Sequence, residues 1–438
     1  MSKPITITGA GGYVGSVLVG QLLEAGYTVQ ALDRFFFGSN TLRELLGHPR
    51  LRIRMQDIRA VTPADLEGQW AVIDLAALSN DPSGDLDPRL TEEINQAGRI
   101  NVARAARSAG VQRYVFASSC SVYGAGSEAS LTESSALHPQ TAYARSCAIA
   151  EEAIRKMSAP GFTSTALRLA TLFGLSPRMR FDLVVNVMTL DSFTQRRITV
   201  VGGQQWRPLL PVSDAARAFR TAMESPADVV SGNVFNIGLA NLQVIDIANC
   251  VRETLGLDIE IATKPNALDG RDYNVSFDRV KSDLGFMPIQ SLAGSIQTIY
   301  DALATGQVRD EDRTRTVVWY KHLLSQGVVL SGEGVAQEEG PKQSVRPGNT
   351  GLGRRGCLSE PSGGGCDLTA TKGAAGSRTT ARPSLATSIG RPAFSATSES
   401  RQPTAASGRR TCARNVSCSC ACPWGGRHEA TPRSTAPA

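Results

Sequence analysis

The amino-acid sequence predicts an α/β fold: a doubly wound parallel sheet with a smaller C-terminal lobe and a disordered tail. Residues 1–120 alternate short apolar strands with amphipathic helices, and strands that are apolar almost throughout are typical of a parallel sheet covered on both faces. After about residue 170 the alternation loosens, which indicates a second lobe over the carboxyl edge of the sheet. Past about residue 330 the apolar periodicity ends. We therefore predict three parts, at 1–170, 171–330 and 331–438.

The predicted elements follow one another in the order that this fold needs. "ITIT" (5–8) is a short strand that leads directly into a helix, and the same alternation continues along the first part of the chain. Short, right-handed crossovers then place the strands side by side in one sheet. The predicted strands are 5–8, 28–32, 51–55, 71–77, 113–118, 164–169, 197–203, 234–238 and 259–263. The predicted helices lie near 13–25, 89–109, 140–157, 213–223, 243–255 and 291–304.

Charge and cysteine content narrow the class of protein. The formal net charge is +6, but the excess lies in residues 331–438, which hold 14 Lys and Arg against 7 Asp and Glu. The basic character is therefore no reason to predict nucleic-acid binding by the folded part. Cys120, Cys147 and Cys250 are far apart and odd in number, which is typical of a reduced protein rather than a disulfide framework. With no signal peptide and no apolar run of about 20 residues, we expect a cytoplasmic protein without a membrane segment.

The tail has the composition of a disordered segment. Residues 331–438 are rich in Gly, Ser, Thr, Arg, Ala and Pro, with Phe394 and Trp424 as the two aromatic residues. Such a segment buries too little apolar area to offset the entropy of ordering it. It is either a functional basic arm or the product of a wrong reading frame, and its composition favours the second interpretation. The cysteines of 412–424 lack two separated ligand pairs, so we predict no metal site there.

A glycine-rich turn indicates a dinucleotide site. "TGAGGYVG" (8–15) directly follows the first predicted strand and opens the first predicted helix. Gly9 permits a tight turn, Gly12 lets the backbone approach a pyrophosphate, and Gly15 lets helix and strand pack closely. The helix N-terminus then presents N–H groups and a positive dipole end to the phosphates. An ordinary turn also explains three glycines, but this context predicts a dinucleotide-binding Rossmann domain over 1–170.

The ends of the next strands indicate which dinucleotide is bound. Asp33 lies 18 residues past Gly15, where a carboxylate accepts hydrogen bonds from the adenosine ribose and repels a 2′-phosphate, so we predict NAD rather than NADP. Arg34 beside it keeps NADP open. Asp57 ends the third strand and is placed to contact adenine. The small residues of "LAAL" (75–78) leave room for nicotinamide, although core packing explains them equally well.

The reacting centre carries a resemblance to a known family. "FASSCSVYG" (116–124) ends the fifth strand with hydroxyls, and "YARSC" (143–147) follows about twenty residues later. With these pieces in place, residues 4–325 resemble the extended short-chain dehydrogenase/reductases, the group of nucleotide-sugar epimerases and dehydratases. The other matching pieces are "TGAGGYVG", Asp33, Asp57, "LAA", Asn95, "LRLATLFG" (167–174), "RPLLPVSDAARA" (207–218) and "GRDYNVSFD" (270–278). The cofactor residues then expected are Gly9, Gly12, Tyr13, Val14, Gly15, Asp33, Asp57, Ile58, Leu75, Ala76, Ala77, Asn95 and Tyr143.

The resemblance implies a tyrosine as catalytic acid and base. In the family, a Ser or Thr and a Tyr bracket the carbon that exchanges hydride with nicotinamide, and Ser119 and Tyr143 match them. A tyrosinate takes a proton from a sugar hydroxyl, and a nearby hydroxyl holds the oxygen. The family lowers the tyrosine pKa with a Lys four residues later, and here that position is Cys147. A neutral thiol supplies no positive charge.

The cysteine leaves three hypotheses open. The first is slow or pH-shifted chemistry, since the loss of one charge costs roughly one to three pKa units. The second is a catalytically weak NAD-binding scaffold or sensor. The third, which we favour least, is a nucleophilic Cys147, because no His, Lys or Asp is visibly placed to activate it.

The resemblance also narrows the reaction and the substrate. The 4,6-dehydratases of the family carry an Asp-Glu pair where this chain has Cys120 and Ser121, which argues against dehydration and for epimerisation or a simple oxidation or reduction. Arg207 and Arg271 match arginines that clamp the substrate diphosphate, and Asn186 matches an Asn that faces the nucleotide sugar. The predicted substrate-binding residues are Ser119, Asn186, Arg207 and Arg271. In relatives, the helices matching 89–109 and 140–157 form a dimer interface, so we expect a homodimer.

Overall fold

The fold is described by a computed structural model, which covers residues 3–124, 130–265 and 272–328. Seven strands form one parallel sheet in the order β10-β6-β5-β4-β1-β2-β3. The remaining strands form a three-stranded sheet, β11-β9-β7, and a parallel pair of β8 and β12. The strands are β1 (Pro4–Thr8), β2 (Thr28–Asp33), β3 (Leu51–Met55), β4 (Ala71–Asp74), β5 (Arg113–Ser119), β6 (Thr163–Leu169), β7 (Thr171–Phe173), β8 (Arg197–Val201), β9 (Trp206–Pro211), β10 (Val234–Ile237), β11 (Ala240–Gln243) and β12 (Glu260–Lys264).

Helices cover both faces of the large sheet and build most of the second lobe. The α-helices are α1 (Tyr13–Glu24), α2 (Asp81–Gly84), α3 (Pro88–Thr91), α4 (Arg99–Ser108), α5 (Ala142–Arg155), α6 (Val184–Gln195), α7 (Val212–Glu224), α8 (Ala227–Val230), α9 (Val244–Leu255), α10 (Asp278–Leu284), α11 (Leu292–Ala304) and α12 (Thr316–Ser325). A π-helical segment, Glu92–Gly98, precedes α4. Short 3-10 helices lie at Ser39–Leu45, Ile58–Ala60, Pro63–Leu66, Cys120–Tyr123 and Asp312–Thr314.

The predicted doubly wound sheet is confirmed. Strand β1 pairs with β2 on one side and with β4 on the other, so the strand order reverses between β1 and β4. In sheets of this type, ligands bind in the crevice that opens at such a reversal, outside the carboxyl ends of the strands. The glycine-rich turn after β1 and the "LAAL" segment after β4 flank that crevice.

Apolar side chains on both faces hold the helices to the sheet. On one face, Leu18 and Leu22 of α1 and Phe219 of α7 are fully buried against Ile5 and Ile7 of β1. On the other face, the cluster contains buried residues of α4 and α5 together with Val72, Tyr114 and Phe116 from the strands. Each fully buried large side chain stabilises the fold by roughly 1.5–3 kcal/mol relative to exposure. A separate apolar cluster holds α6, α9 and α11 to the strands of the second lobe.

Several boundaries differ from the sequence expectation, and one difference matters for the site. Strand β4 ends at Asp74 rather than at residue 77, so Leu75, Ala76 and Ala77 lie in the loop at the crevice. Strand β10, predicted within the second lobe, joins the large sheet beside β6. Helices α6 and α12 were not predicted. The expectation of a disordered tail at 331–438 lies outside the described residues.

Helix α12 packs beside the crevice. Tyr320 and Leu323 are buried with Leu78 and Leu90, and the Trp319 indole N–H donates to the carbonyl of Phe36 at 2.5 Å. The residues that follow β2 are therefore covered by a helix that lies almost 300 positions later in the chain. This arrangement places Tyr320 in the wall of the cavity described next.

Candidate active site

A cavity of about 560 Å³ lies at the carboxyl edge of the sheet. It runs from the glycine-rich turn and Asp33, past the end of β4, to Ser119 and Tyr143, and on to residues of the second lobe such as Arg207. Its size and its mixture of apolar walls with a few polar groups are typical of small-molecule sites. The predicted cofactor residues that line it are Gly9, Gly12, Tyr13, Val14, Gly15, Asp33, Asp57, Ile58, Leu75, Ala76, Ala77 and Tyr143.

The glycines form a turn that tolerates no side chains. Gly9 has φ +68°, and a Cβ there would lie 2.8 Å from the backbone nitrogen of Ala76. A Cβ on Gly15 would lie 2.2 Å from the carbonyl oxygen of Gly9. Helix α1 begins at Tyr13, directly after Gly12, and Gly12 has no side chain that could cap the helix. The helix N-terminus therefore faces the cavity at close range, which fits a dinucleotide pyrophosphate.

Asp33 is held in place at the end of β2 by backbone groups. Its Oδ2 accepts a hydrogen bond from the N–H of Gly11 at 2.9 Å, and its Oδ1 accepts one from the N–H of Phe35 at 2.6 Å. Burial raises the pKa of Asp33, and these backbone hydrogen bonds lower it by less. Each carboxylate oxygen has a second lone pair for a ribose hydroxyl, because a carboxylate has about four acceptor positions.

The neighbouring charges bear on the choice between NAD and NADP. Arg34, which kept NADP open in the sequence, pairs with Asp57 at 2.7 Å. Arg59 binds the same carboxylate at 2.8 Å. The guanidinium of Arg34 is therefore occupied by a carboxylate, and Asp57 carries two cationic partners beside the cavity.

A buried network sets the end of β4. The Thr8 hydroxyl donates to Asp74 Oδ1 at 2.6 Å and accepts from the backbone N–H groups of Leu75 and Ala76 at 3.2 and 3.3 Å. Arg99 Nε donates to Asp74 Oδ2 at 3.1 Å, and the Tyr114 hydroxyl donates to the same oxygen at 2.9 Å. The loop at the crevice is thus fixed by side chains from β1, β4, β5 and α4.

Ser119 and Tyr143 meet at the far side of the crevice. Ser119 ends β5, and its Oγ accepts from the N–H of Ser121 at 3.1 Å. Tyr143 lies in the first turn of α5, which begins after Thr141, whose Oγ1 accepts from the N–H of Ala144 at 3.1 Å. Ser119 and Tyr143 both line the cavity, and the Ser119 hydroxyl lowers the pKa of Tyr143. Two residues 24 positions apart are therefore brought to one cavity.

Cys147 lies one helical turn beyond Tyr143. It is fully buried and belongs to the same apolar cluster as Tyr143. Burial raises the pKa of the Cys147 thiol to about 12, with a smaller opposing effect from Arg99. At neutral pH the residue is a neutral thiol, so it neither repels a tyrosinate nor acts as a thiolate nucleophile.

The electrostatic environment of Tyr143 favours the protonated phenol. Burial raises the pKa of Tyr143 well above its ordinary value, and the carboxylate of Asp81 raises it further. Arg99 and the Ser119 hydroxyl act in the opposite direction and lower it. Arg99 is thus a cation that acts on Tyr143, beside which Cys147 replaces the lysine of the family.

Six charged side chains that line the cavity were not identified from the sequence. They are Asp81, Arg99, Arg178, Arg180, Asp182 and Asp191. Asp81 Oδ1 accepts from the Thr141 hydroxyl at 2.5 Å, which places a carboxylate beside α5. Arg180 pairs with Asp182 at 2.7 Å. The one sequence signal was "SPRMRFD" (176–182), two arginines within an otherwise apolar stretch.

The remaining predicted residues differ in their placement. Asn95 is buried and exchanges two hydrogen bonds with the backbone of Leu78, at 2.8 and 3.0 Å. Asn186 is buried as well and donates to the Tyr13 hydroxyl at 3.0 Å. Both support the cavity from behind rather than line it. Arg207 lines the second-lobe end, and Arg271 lies outside the described residues.

Comparison with known proteins decides the family. The model of the NAD dependent epimerase/dehydratase family matches residues 5–238. The chain belongs to this family. The resemblance to extended short-chain dehydrogenase/reductases and the prediction of NAD as cofactor are therefore confirmed. No helix in the described ranges is both long and apolar enough to cross a membrane.

Relatives within the family catalyse different reactions. A dTDP-glucose 4,6-dehydratase of Streptomyces griseus is 29% identical over 336 residues, which cover 74% of this chain and 95% of that protein. A UDP-glucose 4-epimerase of Lacticaseibacillus casei is 25% identical over 309 residues, covering 65% and 91%. The structure of MoeE5 in complex with UDP-glucose and NAD matches with a TM-score of 0.61 and 26% identity, covering 70% of this chain and 100% of that chain.

Proposed function

We propose that this enzyme is an NAD-dependent epimerase, or a related oxidoreductase, that acts on a nucleotide-diphosphate sugar. The observation that carries the proposal is that Ser119 and Tyr143 line the same cavity as the glycine-rich turn and Asp33. A phenol and a hydroxyl beside a dinucleotide site suit transient oxidation of a sugar alcohol.

The residues present fit NAD. The turn at Gly9, Gly12 and Gly15 would hold the pyrophosphate, since added Cβ atoms at Gly9 and Gly15 would clash with neighbouring backbone. Asp33 would accept the adenosine ribose hydroxyls. The small side chains of Ala76 and Ala77 line the way to Tyr143. When bound, NAD supplies the acceptor and then the donor of a hydride.

The protein's own side chains handle the proton. Tyr143 would receive the hydroxyl proton of the sugar as its carbon is oxidised, and would return it when the carbon is reduced. Ser119 would hold the reacting oxygen by a hydrogen bond. Because burial keeps the pKa of Tyr143 high, the phenol is protonated at neutral pH, and the ionised base form needs nearby positive charge.

The substrate class rests on the second-lobe end of the cavity. Arg207 lines that end and has its guanidinium anchored on the carbonyl of Trp206 at 2.8 Å. A guanidinium in this position suits a diphosphate. MoeE5, of similar fold and 26% identity, is described in complex with UDP-glucose and NAD, which supports a nucleotide sugar here. The proposed pairing of Arg271 with the diphosphate rests on the sequence alone.

A second candidate function is a catalytically weak NAD-binding scaffold or sensor. The observation that favours it is the neutral, buried Cys147 beside a tyrosine whose pKa is raised.

Dehydration has less support: Cys120 is buried away from the cavity, with its thiol donating to the carbonyl of Arg168 at 3.4 Å. Asp81 nevertheless places a carboxylate in the cavity, which could serve as an acid or base in dehydration. The test therefore measures loss of water from the sugar as well as inversion at a sugar carbon.

The test uses the full chain with NAD and a panel of UDP- and dTDP-sugars. We expect sugar inversion, with transient absorbance at 340 nm, and a fall of about 10²–10⁴-fold in kcat for Tyr143→Phe with unchanged NAD affinity. Tyr300→Phe, which removes a hydroxyl that accepts from Arg196 on the outside of the second lobe, is the matched control. Tight NAD binding without turnover of any sugar would favour the scaffold, and products lighter by one water would identify a dehydratase.

We also propose that the enzyme is a homodimer formed through α4 and α5. The support is Ile149 on α5, a large apolar side chain that is 48% exposed. Docking against a second copy would remove its surface from water. Light scattering on the full chain is expected to give twice the chain mass, and Ile149→Glu is expected to give the single mass. Equal masses for both proteins would contradict this interface.

A further inference from the structure

Arg178 is a buried cation whose charge has no carboxylate partner in the described part of the chain. It is 5% exposed, and its one assigned side-chain hydrogen bond runs from Nη2 to the Thr316 hydroxyl at 3.1 Å. Its Nε has no hydrogen-bond partner within the described residues. Arg180, two positions later, differs, because it forms two hydrogen bonds with Asp182, at 3.1 and 2.7 Å.

Such a placement is unfavourable in the protein alone. A buried charge without a counter-ion costs far more than a paired one, and a buried donor without an acceptor adds to the cost. Burial, together with the positive charge of Arg180, lowers the pKa of Arg178 to about 9. The site would therefore gain stability from an anion that enters the cavity.

The surroundings of Arg178 identify which end of the cavity it serves. Its guanidinium lies 3.6 Å from the ring centre of Phe37, which follows β2, and its charge acts on Asp33. Two residues earlier, the Ser176 hydroxyl donates to the carbonyl of Tyr13 at 2.8 Å. The segment that carries Arg178 thus lies against the start of α1, where the glycine-rich turn ends, and Arg178 itself lines the cavity.

We propose that Arg178 binds the pyrophosphate of NAD from the side opposite the glycine-rich turn. The backbone N–H groups of α1 and the guanidinium would then hold the diphosphate between them, as charge-assisted hydrogen bonds do in other phosphate sites. The inference rests on NAD as cofactor and is independent of the sugar chemistry. The substrate diphosphate is the other source of the same anion, but Asp33, Phe37 and Tyr13 belong to the cofactor end.

Binding measurements on the full chain, freed of nucleotide, test the proposal. For Arg178→Met we expect NAD and ADP-ribose to bind about 10–100-fold more weakly, and adenosine, which lacks phosphate, to bind within about twofold of the native protein. Arg178→Lys is expected to lie between. Arg107→Met, on the exposed side of α4, is the control.

Thermal unfolding supplies a second readout, first without nucleotide and then with ADP-ribose. Without nucleotide, Arg178→Met is expected to unfold at a temperature equal to or above that of the native protein, since an unpaired buried charge is removed. Its rise in melting temperature with ADP-ribose is expected to shrink. An equal loss of affinity for adenosine and ADP-ribose would overturn the proposal. UDP is measured in the same way, and a loss of affinity for UDP alone would assign Arg178 to the substrate instead.

A different observation concerns Arg99, which lies beneath the reacting centre. It is 1% exposed, and its Nη2 donates to the carbonyls of Asp74 and Ala117, both at 2.8 Å. These carbonyls belong to the last residue of β4 and to β5 two residues before Ser119. Arg99 therefore ties together the two strand ends on which the reacting part of the cavity is built.

The ion pair of Arg99 and Asp74 is oriented with respect to the cavity. Arg99 lines the cavity and Asp74 does not, so the positive member of the pair is the one that reaches the cavity. The groups that act on Tyr143 from the packed elements are Cys147 from α5, Asp81 from α2, Arg99 from α4, Ser119 from β5 and Arg180 from the loop after β7. Of these, Arg99 and Arg180 are cations, and Arg180 is paired with Asp182.

We infer that Arg99 is a positioning residue that supplies part of the positive charge absent at Cys147 and so stabilises the ionised form of Tyr143. This inference rests on the proposed function. Because Arg99 shares its charge with Asp74, its effect is smaller than that of a free ammonium beside the phenol. Activity that depends on this arrangement rises toward alkaline pH.

The test compares pH dependence rather than activity at one pH. Arg99→Met is made together with Asp74→Asn, because Asp74 alone would be a buried, unpaired charge. We expect the ionisation of Tyr143 to shift upward by about one unit, a tenfold loss of the ionised form at neutral pH. Arg99→Lys is expected to retain most of the native profile. In a Cys147→Lys background the same double change is expected to shift the profile by less than half as much.

The ionisation is followed without any sugar substrate. Tyrosinate absorbance of the NAD-bound protein is titrated, and the titration of Tyr143→Phe is subtracted. This readout remains valid if the proposed sugar chemistry is wrong. Coincident titrations for the native protein and the double variant would overturn the inference, as would an equal shift in the Cys147→Lys background.

Discussion

The two ends of the cavity are built in different ways. The cofactor end consists of the turn at residues 9–15 and Asp33, held by backbone hydrogen bonds within the first 35 residues and by close packing against the backbone of Leu75 and Ala76. The reacting end is assembled from side chains on separate elements, with Ser119 on β5, Tyr143 on α5 and Arg99 on α4. The first depends on the absence of side chains, and the second on charges brought together by folding. The cofactor end should therefore respond to added volume, and the reacting end to changed charge.

The largest expected effect tests the backbone packing of the cofactor end. Gly15→Val would place a Cβ 2.2 Å from the carbonyl oxygen of Gly9 and 2.8 Å from Cα of Ala10. We expect NAD affinity to fall more than about 100-fold and the free energy of unfolding to fall by roughly 1–3 kcal/mol. Titration calorimetry and urea unfolding measure the two quantities.

Gly20→Ala is the matched control for that variant. It lies on the same helix, α1, and an added Cβ there meets nothing within 4 Å. It is expected to leave NAD affinity unchanged and to stabilise the helix by up to ~1 kcal/mol. If both variants lost NAD equally, the close packing of the turn would not be the reason.

The next effect concerns charge at the reacting end. Cys147→Lys introduces an ammonium one turn from Tyr143 and is expected to lower the pKa of the phenol by roughly one to three units. The rise of kcat with pH, which follows the ionisation of Tyr143, then occurs at lower pH. Activity at neutral pH rises about tenfold or more. Cys147→Met, which stays neutral, is the control and should keep the native profile. Identical profiles for the Lys and Met variants would contradict the role of charge here.

The smallest effect is a pH dependence at the cofactor end. Burial raises the pKa of Asp33, and only the ionised carboxylate accepts from both ribose hydroxyls. NAD affinity should therefore be full above this pKa and should decline as the pH falls through it, at a higher pH than for an ordinary aspartate near ~4. A several-fold decline is expected by calorimetry. Asp33→Asn should bind NAD more weakly with little change over the same pH range.

The fold could be predicted well because its signals are local. Most strands of the large sheet are short runs rich in apolar residues, and the glycine turn needs only eight consecutive residues. Helix α12 was missed although it borders the cavity. Its role depends on Tyr320 and Trp319 reaching residues that follow β2, and no spacing within 316–325 reports that contact.

The candidate site likewise contains residues that could be predicted from the sequence and contacts that only the structure shows. The parallel sheet, the glycine-rich turn and Asp33 could be predicted from the sequence because their signals lie in neighbouring residues. Ser119, Tyr143 and Cys147 were predicted from the resemblance to the family. Only the tertiary structure brought Arg99 to the cavity that Tyr143 lines, left Arg178 without a carboxylate partner among the described residues, and paired Arg34 with Asp57. Pairing of buried charges is decided by distance in space, and residues that are dozens of positions apart acquire it only when the chain folds.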